Sequence, residues 1–154
     1  MGIKAEKAQA LFRQGCNCCQ SVLGAFCEEV GLDFDTAMKL ASSFGGGMGR
    51  LREVCGAVSA MFMIAGLKFG YTSPTDKAAK TEHYRLIQQL AAEFREKRGT
   101  IICRELLGLD GKKETYVPAD RTKAYYDSRP CEAIIGEAAE LTERLLRGEF
   151  QPAE

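Results

Sequence analysis

Phe44-Gly45-Gly46-Gly47-Met48-Gly49-Arg50-Leu51-Arg52-Glu53-Val54-Cys55-Gly56-Ala57 is the stretch on which the reading of the fold turns. Gly45, Gly46, Gly47 and Gly49 fill four of five positions. A right-handed helix gains nothing from them, because each adds chain entropy that folding must remove. They predict a tight loop whose backbone takes positive φ and passes close to a neighbour. Beyond Arg50 the apolar spacing is helical: Leu51, Val54, Cys55, Val58, Met61 and Phe62 share one face. A glycine loop feeding a helix, with a thiol near the helix start, is the expectation. Unpaired N–H groups there favour thiolate over thiol, and Arg50 and Arg52 add positive charge. A lone cysteine at such a place reads equally as a small core residue.

The rest of the chain supplies more helices and no convincing strand. Lys4 to Gln14 is amphipathic and stops at Gly15. Asn17 caps a helix from Cys18 to Val30, with Gly31 as its stop, and Asp33 or Asp35 caps another through Ser43. The helix after the glycine loop runs to Gly66 or Phe69. Ser73-Pro74 reads as the cap and first residue of a long helix reaching Lys97 or Arg98, with Tyr84, Ile87, Leu90, Ala91 and Phe94 inward. Thr100 caps a short helix, Ile101 to Leu107. Leu109 to Ser128 is irregular, and Arg129-Pro130 opens a last helix that turns Ile134, Ala138, Leu141 and Leu145 inward, before a frayed tail. The prediction is an all-α bundle of six or seven helices in one domain spanning 1–154.

Charge and composition narrow the function. The 154 residues hold 21 Lys plus Arg and 21 Asp plus Glu, which gives no electrostatic footprint for nucleic acid or an anionic membrane. The longest uncharged apolar run, Val54 to Leu67, is too short to span a bilayer. No apolar signal core stands at the start, so a cytoplasmic location is expected. His83 is the only histidine, and it reads as a surface residue. An α bundle with apolar helices can also form a homodimer.

Seven cysteines are the anomaly: Cys16, Cys18, Cys19, Cys27, Cys55, Cys103 and Cys131. An odd count in a reducing compartment points to redox or metal chemistry before permanent cross-links. Placed on the predicted helices, Cys18, Cys55, Cys103 and Cys131 each stand near a helix start, where thiolates are stabilised. If those starts converge, they form one electropositive, sulfur-lined pocket. Cys16-Asn17-Cys18-Cys19 also contains a C-x-x-C spacing at a helix N-terminus, so Cys16 and Cys19 form a second candidate pair. Cys27 reads as structural. The glycine loop lacks the G-K-[ST] ending of a phosphate loop, and no strand precedes it, so it reads as a bend that lets helices pack closely. Tyr125 and Tyr126 read as cover for the core.

Over nearly its whole length the chain resembles the redox-active family named for a C…GCAxxG…C…C pattern. Asn17-Cys18-Cys19-Gln20-Ser21-Val22-Leu23 is similar to its first segment, with Cys18 at the family's cysteine position. The glycine loop followed by Cys55-Gly56-Ala57 resembles the second, Cys103-Arg104-Glu105-Leu106-Leu107-Gly108 the third, and Cys131 the fourth. Ala60 stands where the motif closes on glycine. The resemblance implies redox activity without naming a cofactor or partner. Two readings follow. In one, two of the four thiols alternate between dithiol and disulfide, with Cys55 as nucleophile, in exchange with an unidentified redox partner. In the other, Cys18, Cys55, Cys103 and Cys131 ligate zinc or an iron–sulfur cluster. A helical interaction module with inert thiols is the third alternative.

Overall fold

The computed structural model describes residues 2–109 and 114–152. It is all-α. Ile3–Arg13 (α1), Cys18–Phe26 (α2), Phe34–Ser42 (α3), the four-residue turn Gly45–Met48 (α4), Gly56–Phe69 (α5), Lys77–Arg98 (α6), Cys103–Leu106 (α7), Lys123–Ser128 (α8) and Cys131–Leu146 (α9) follow in order. Among the described residues the one β contact is an isolated antiparallel bridge, Val54 with Ile102. No helix among them is long and apolar enough to cross a membrane.

Helix α2 is the central element. It packs against α1, α3, α5 and α9, and α5 in turn packs against α6 and α9. Its starting signal is complete: the Asn17 side chain accepts from Gln20 N, and the Gln20 side chain accepts from Asn17 N. This reciprocal box satisfies two donors that the helix itself leaves unpaired. Within α2, Cys19, Val22, Leu23, Ala25 and Phe26 are buried, and they join Phe12, Val58, Met61, Ile64, Leu90, Phe94, Ile135 and Leu145 in one core.

The glycine stretch is wound left-handed. Gly46, Gly47, Met48, Gly49 and Arg50 all have φ between 60° and 70°. The turn is left-handed, and its carbonyls are used: Gly49 N–H donates to Gly45 O, Arg50 N–H to Gly45 O, Arg52 N–H to Gly46 O and Glu53 N–H to Gly47 O. Left-handed backbone costs an L residue roughly 1–2 kcal/mol, and glycine almost nothing. Met48, Arg50 and Arg52 still adopt it, with φ of 70°, 69° and 61°. Such strain persists only where the surroundings over-determine it.

Several boundaries differ from expectation for local reasons. The helix after the glycine stretch begins at Gly56, so Cys55 is its N-cap and not an early interior residue. Residues 52–55 instead run alongside 101–104: Cys55 N–H donates to Ile101 O, Cys103 N–H to Glu53 O and Arg104 N–H to Arg52 O. Leu51, counted on the helical face, is 72% exposed. Helix α2 stops at Phe26, four residues early. Asp76, not Ser73, caps α6 by accepting from Ala79 N, and Ser73 bonds the Thr75 hydroxyl instead. Leu86 takes the inward place expected of Tyr84, whose hydroxyl meets that of Tyr71 at 3.1 Å. Helix α7 is shorter than expected, and Thr100 closes a local turn by accepting from Ile102 N. The irregular stretch contains α8, capped by Thr122; its residues 110–113 lie outside the described residues. The tail is anchored by buried Phe150, over which the Arg144 guanidinium stacks.

Gly47→Ala is expected to destabilise the protein by about 3 kcal/mol or more. It adds left-handed strain, and its methyl would lie 2.6 Å from Cys103 Cβ and 2.8 Å from Glu53 N. Gly148→Ala, at φ 83° with open space around it, isolates the strain alone and should cost about 1 kcal/mol. Urea unfolding of both variants checks the difference.

Candidate functional site

Four helix starts meet in one place. Cys18 is the first residue of α2, Cys55 the N-cap of α5, Cys103 the first residue of α7 and Cys131 the first of α9. All four line a single small cavity of about 50 Å³, together with Gly46, Gly47, Arg52, Gly56, Arg121, Tyr125 and Arg129. A water occupies about 30 Å³ of liquid, so this space takes a water or two, or the tip of a ligand.

Missing side chains make the convergence possible. A Cβ on Gly56 would sit 2.8 Å from Phe44 O, 3.0 Å from Cys19 N and 3.2 Å from Cys18 Cβ, so α5 could not start against α2. The crowding at Gly47 does the same for α7. A Cβ on Gly45 would meet Asn17 Cβ at 2.5 Å, which ties the left-handed turn to the cap of α2. Ala60, at the motif's departure from glycine, is fully buried in α5, away from the cavity lining.

The cationic groups around the thiols are placed by specific partners. Arg52 is 7% exposed; its Nε donates to Glu114 Oε2 at 2.6 Å and its Nη1 to Cys103 Sγ at 3.6 Å. Arg50 points outward, to the same Glu114 carboxylate at 3.3 Å and to Thr115 O at 2.9 Å. Arg121 donates to Phe12 O and Cys16 O, both at 3.1 Å, and so closes the end of α1. Its guanidinium lies 4.6 Å from the Phe12 ring centre and 4.9 Å from that of Tyr125. Arg129 covers Tyr125 from 4.7 Å. Tyr125 and Tyr126 do pack on the core, as expected, but Tyr125 also forms a wall of the cavity.

Burial and charge sort the thiols. Burial pushes the Cys55 thiol up to about 12, although the backbone N–H groups of Ala57 and Val58 pull the other way. Helix-start donors do favour the thiolate, as the sequence suggests, and desolvation outweighs them. Burial likewise raises Cys103, against the opposing Arg52 hydrogen bond and charge, and raises Cys19 to about 12. Cys131 goes down, to about 7. The hydrogen bond from Cys18 is the largest cause, and Arg129, Arg52 and Arg121 add to it against the effect of burial. Cys18, whose proton is held in that bond, is driven well above the ordinary thiol range.

These facts rank the thiols differently from the sequence. Cys55 has neither arginine beside it, because Arg50 turns outward and Arg52 reaches Cys103. The low-pKa thiol is Cys131. Cys16 and Cys19 are not drawn into the cavity lining. Cys16 is partly exposed with Arg121 as its charged neighbour, whereas Cys19 is fully buried and faces Cys55. The C-x-x-C spacing therefore puts its two thiols in different surroundings. Cys27 is a core residue. His83 is partly buried, and its Nδ1 has no hydrogen-bond partner among the described residues.

Ligation of a metal by four cysteines would need Cys18, Cys55, Cys103 and Cys131 around one point. Among the described residues, no three His, Cys, Asp or Glu side chains are grouped closely enough to hold one metal ion. As placed, the set lines a cavity without forming a coordination shell. All seven cysteines are free.

An all-helical chain with four thiols gathered at helix starts defines a cysteine-cluster protein of redox type. The chain belongs to the family described as "Putative redox-active protein (C_GCAxxG_C_C)", whose model matches residues 16–145. No curated protein and no solved structure matches the chain significantly.

Sequence reasoning missed Arg121, Arg129, Tyr125 and Asn17 as lining residues. Arg129 stands two positions before Cys131 and was findable on that ground; Arg121 carried no local signal. Arg52→Gln should slow alkylation of Cys103 at alkaline pH, because it removes the hydrogen bond and the charge of Arg52 and leaves only Arg129 to hold that pKa down. It should also destabilise the fold by roughly 1–3 kcal/mol, since the partly buried Glu114 loses the nearer of its two guanidinium partners. Mass-resolved alkylation and urea unfolding check the two effects.

Proposed function

We propose that this protein is a thiol–disulfide redox protein in which Cys131 is the attacking thiolate and Cys18 its resolving partner. One observation carries the reading: Cys18 and Cys131, the first residues of two different helices, line one small cavity together with Arg52, Arg121 and Arg129. Two thiols on the wall of one cavity of about 50 Å³ can meet in a disulfide after small adjustment. A thiol titrating near ambient pH combines thiolate population with nucleophilicity.

The exchange balances as follows. The Cys131 thiolate attacks one sulfur of a partner disulfide, and the S–S bond breaks. The leaving sulfur takes the electron pair and a proton. Once Cys131 is bonded to sulfur it carries no negative charge, so Cys18 loses the interaction that held its proton and supplies it. Cys18 then attacks Cys131 sulfur, expels the second partner thiolate, and closes a Cys18–Cys131 disulfide. The Cys131 thiolate and the Cys18 thiol together lose two electrons and one proton, and the partner disulfide becomes one thiol and one thiolate, which takes its proton from water. A reduced partner drives the reverse direction. Cys55 and Cys103 keep the chamber apolar and sulfur-lined, and a cytoplasmic setting would keep all seven cysteines reduced between cycles.

Iodoacetamide alkylation of the reduced protein should show a fast phase at Cys131 with a midpoint near pH 7. Below that pH the thiol is protonated and slow; above it the rate reaches a plateau. Cys131→Ser should remove this phase and Cys55→Ser should keep it. Mild oxidation should lower the mass by about 2 Da and join peptides containing Cys18 and Cys131. Stoichiometric zinc, or visible iron–sulfur absorption, in anaerobically purified protein would replace this reading with metal ligation.

A further inference from the structure

A second cavity adjoins the thiol chamber on the side of the left-handed turn. It measures about 240 Å³, the space of roughly eight waters, and shares Asn17, Gly46, Arg52, Arg121, Tyr125 and Arg129 with the smaller one. Arg50 and the neighbouring segment with Tyr116, Pro118 and Ala119 complete its wall. Its charge is one-sided. Four arginines line it, and among the described residues no Asp or Glu does.

The cationic charge is under-compensated. Arg50 and Arg52 share the single Glu114 carboxylate. Arg121 spends its donors on backbone carbonyls and a tyrosine hydroxyl, which carry no charge. Arg129 makes no hydrogen bond or ion pair among the described residues; it only stacks over Tyr125. Guanidinium groups in a concave, partly desolvated wall raise the local concentration of anions. The strained left-handed residue Arg50 holds its side chain on this wall and not in the core.

Building on the proposed thiol exchange, we infer that this outer cavity binds the anionic end of a small disulfide. A carboxylate of the ligand sits among Arg50, Arg121 and Arg129, and its S–S bond enters the inner cavity toward Cys131. The volumes suit this division. The inner space admits a reacting tip, and the outer one takes a short acid-bearing arm. The substrate class is a low-molecular-weight disulfide with carboxylate arms. The step is the balanced exchange written above, with that disulfide as the electron acceptor.

Three disulfides of similar size test the assignment: 3,3′-dithiodipropionate is anionic, 2-hydroxyethyl disulfide neutral and cystamine cationic. Each rate with reduced protein is divided by that of the same disulfide with 2-mercaptoethanol, which removes intrinsic reactivity. The expected order is anionic, neutral, cationic, with about tenfold between the first two at low salt and less at high salt. Arg50→Gln and Arg129→Gln should each narrow the anionic-to-neutral ratio several-fold. Because that ratio is internal to each variant, a change in Cys131 thiolate content cancels. Equal normalised rates for all three would overturn the antechamber and leave the thiol reading standing. If even the neutral disulfide fails to react, the exchange reading fails. In that case calorimetric titration of Cys131→Ser protein with 3,3′-dithiodipropionate still decides the antechamber. Binding that Arg50→Gln weakens supports it, and absence of binding refutes it.

Discussion

The site depends on backbone approaching backbone where no Cβ intervenes. Gly47 lies against Cys103 and Glu53, and Gly56 against Phe44, Cys18 and Cys19, at separations that a methyl group could not occupy. Remove that permission and α5 and α7 must move away from α2, and the thiols they carry move with them. A left-handed turn lies on the chain's path from the end of α3 to the start of α5, and glycines adopt it at little cost. The three non-glycine residues that share the left-handed conformation are held by what their side chains and neighbours bond, above all the Glu114 carboxylate between Arg50 and Arg52.

Much of this was legible before any coordinates, because the signals are local. Asn17 with Gln20 announces a capped helix, and a glycine run excludes right-handed helix. Pro130 ahead of Cys131 marks another start, and the family's cysteine pattern points to the same four positions. What was hidden is what depends on tertiary surroundings. Leu51, Val54 and Cys55 keep helical spacing, but the backbone there bonds to residues 101–104, and an inter-segment bridge leaves no trace in periodicity. Ser73-Pro74 is as good a helix start as Asp76 until the Asp76 carboxylate is seen accepting from Ala79 N. Tyr84 and Leu86 compete for the inward face of α6, and the Tyr71 hydroxyl draws the tyrosine out.

Which thiol ionises most readily was the least legible feature, for an energetic reason. A helix start and nearby arginines in sequence both favour thiolate, and both stand beside Cys55. Neither registers how deeply a sulfur is buried, nor where an arginine side chain goes. In the fold Arg52 passes Cys55 and reaches Cys103, and desolvation exceeds the pull of two backbone donors. Cys131 had no glycine loop to recommend it. Its pKa is pulled down by Cys18, 113 positions away in the chain, on a helix start that only the fold brings near.

This arrangement also explains why four thiols in one chamber do not all ionise. Each negative charge raises the neighbours' pKa, and the chamber is too dry to screen them: Cys55 and Cys103 both feel Cys131, and Cys18 feels all three. Burial sets a high threshold for the first thiolate, and mutual repulsion a higher one for the second. A single charge is then placed where a donor and the most guanidinium groups coincide. That point is Cys131, with Cys18 donating and Arg52, Arg121 and Arg129 around it. The same three arginines line the outer cavity, so the positive field that selects one sulfur for ionisation also faces whatever approaches from solvent. In the proposed exchange, activation of the thiol and attraction of an anionic partner would be two consequences of one set of charges.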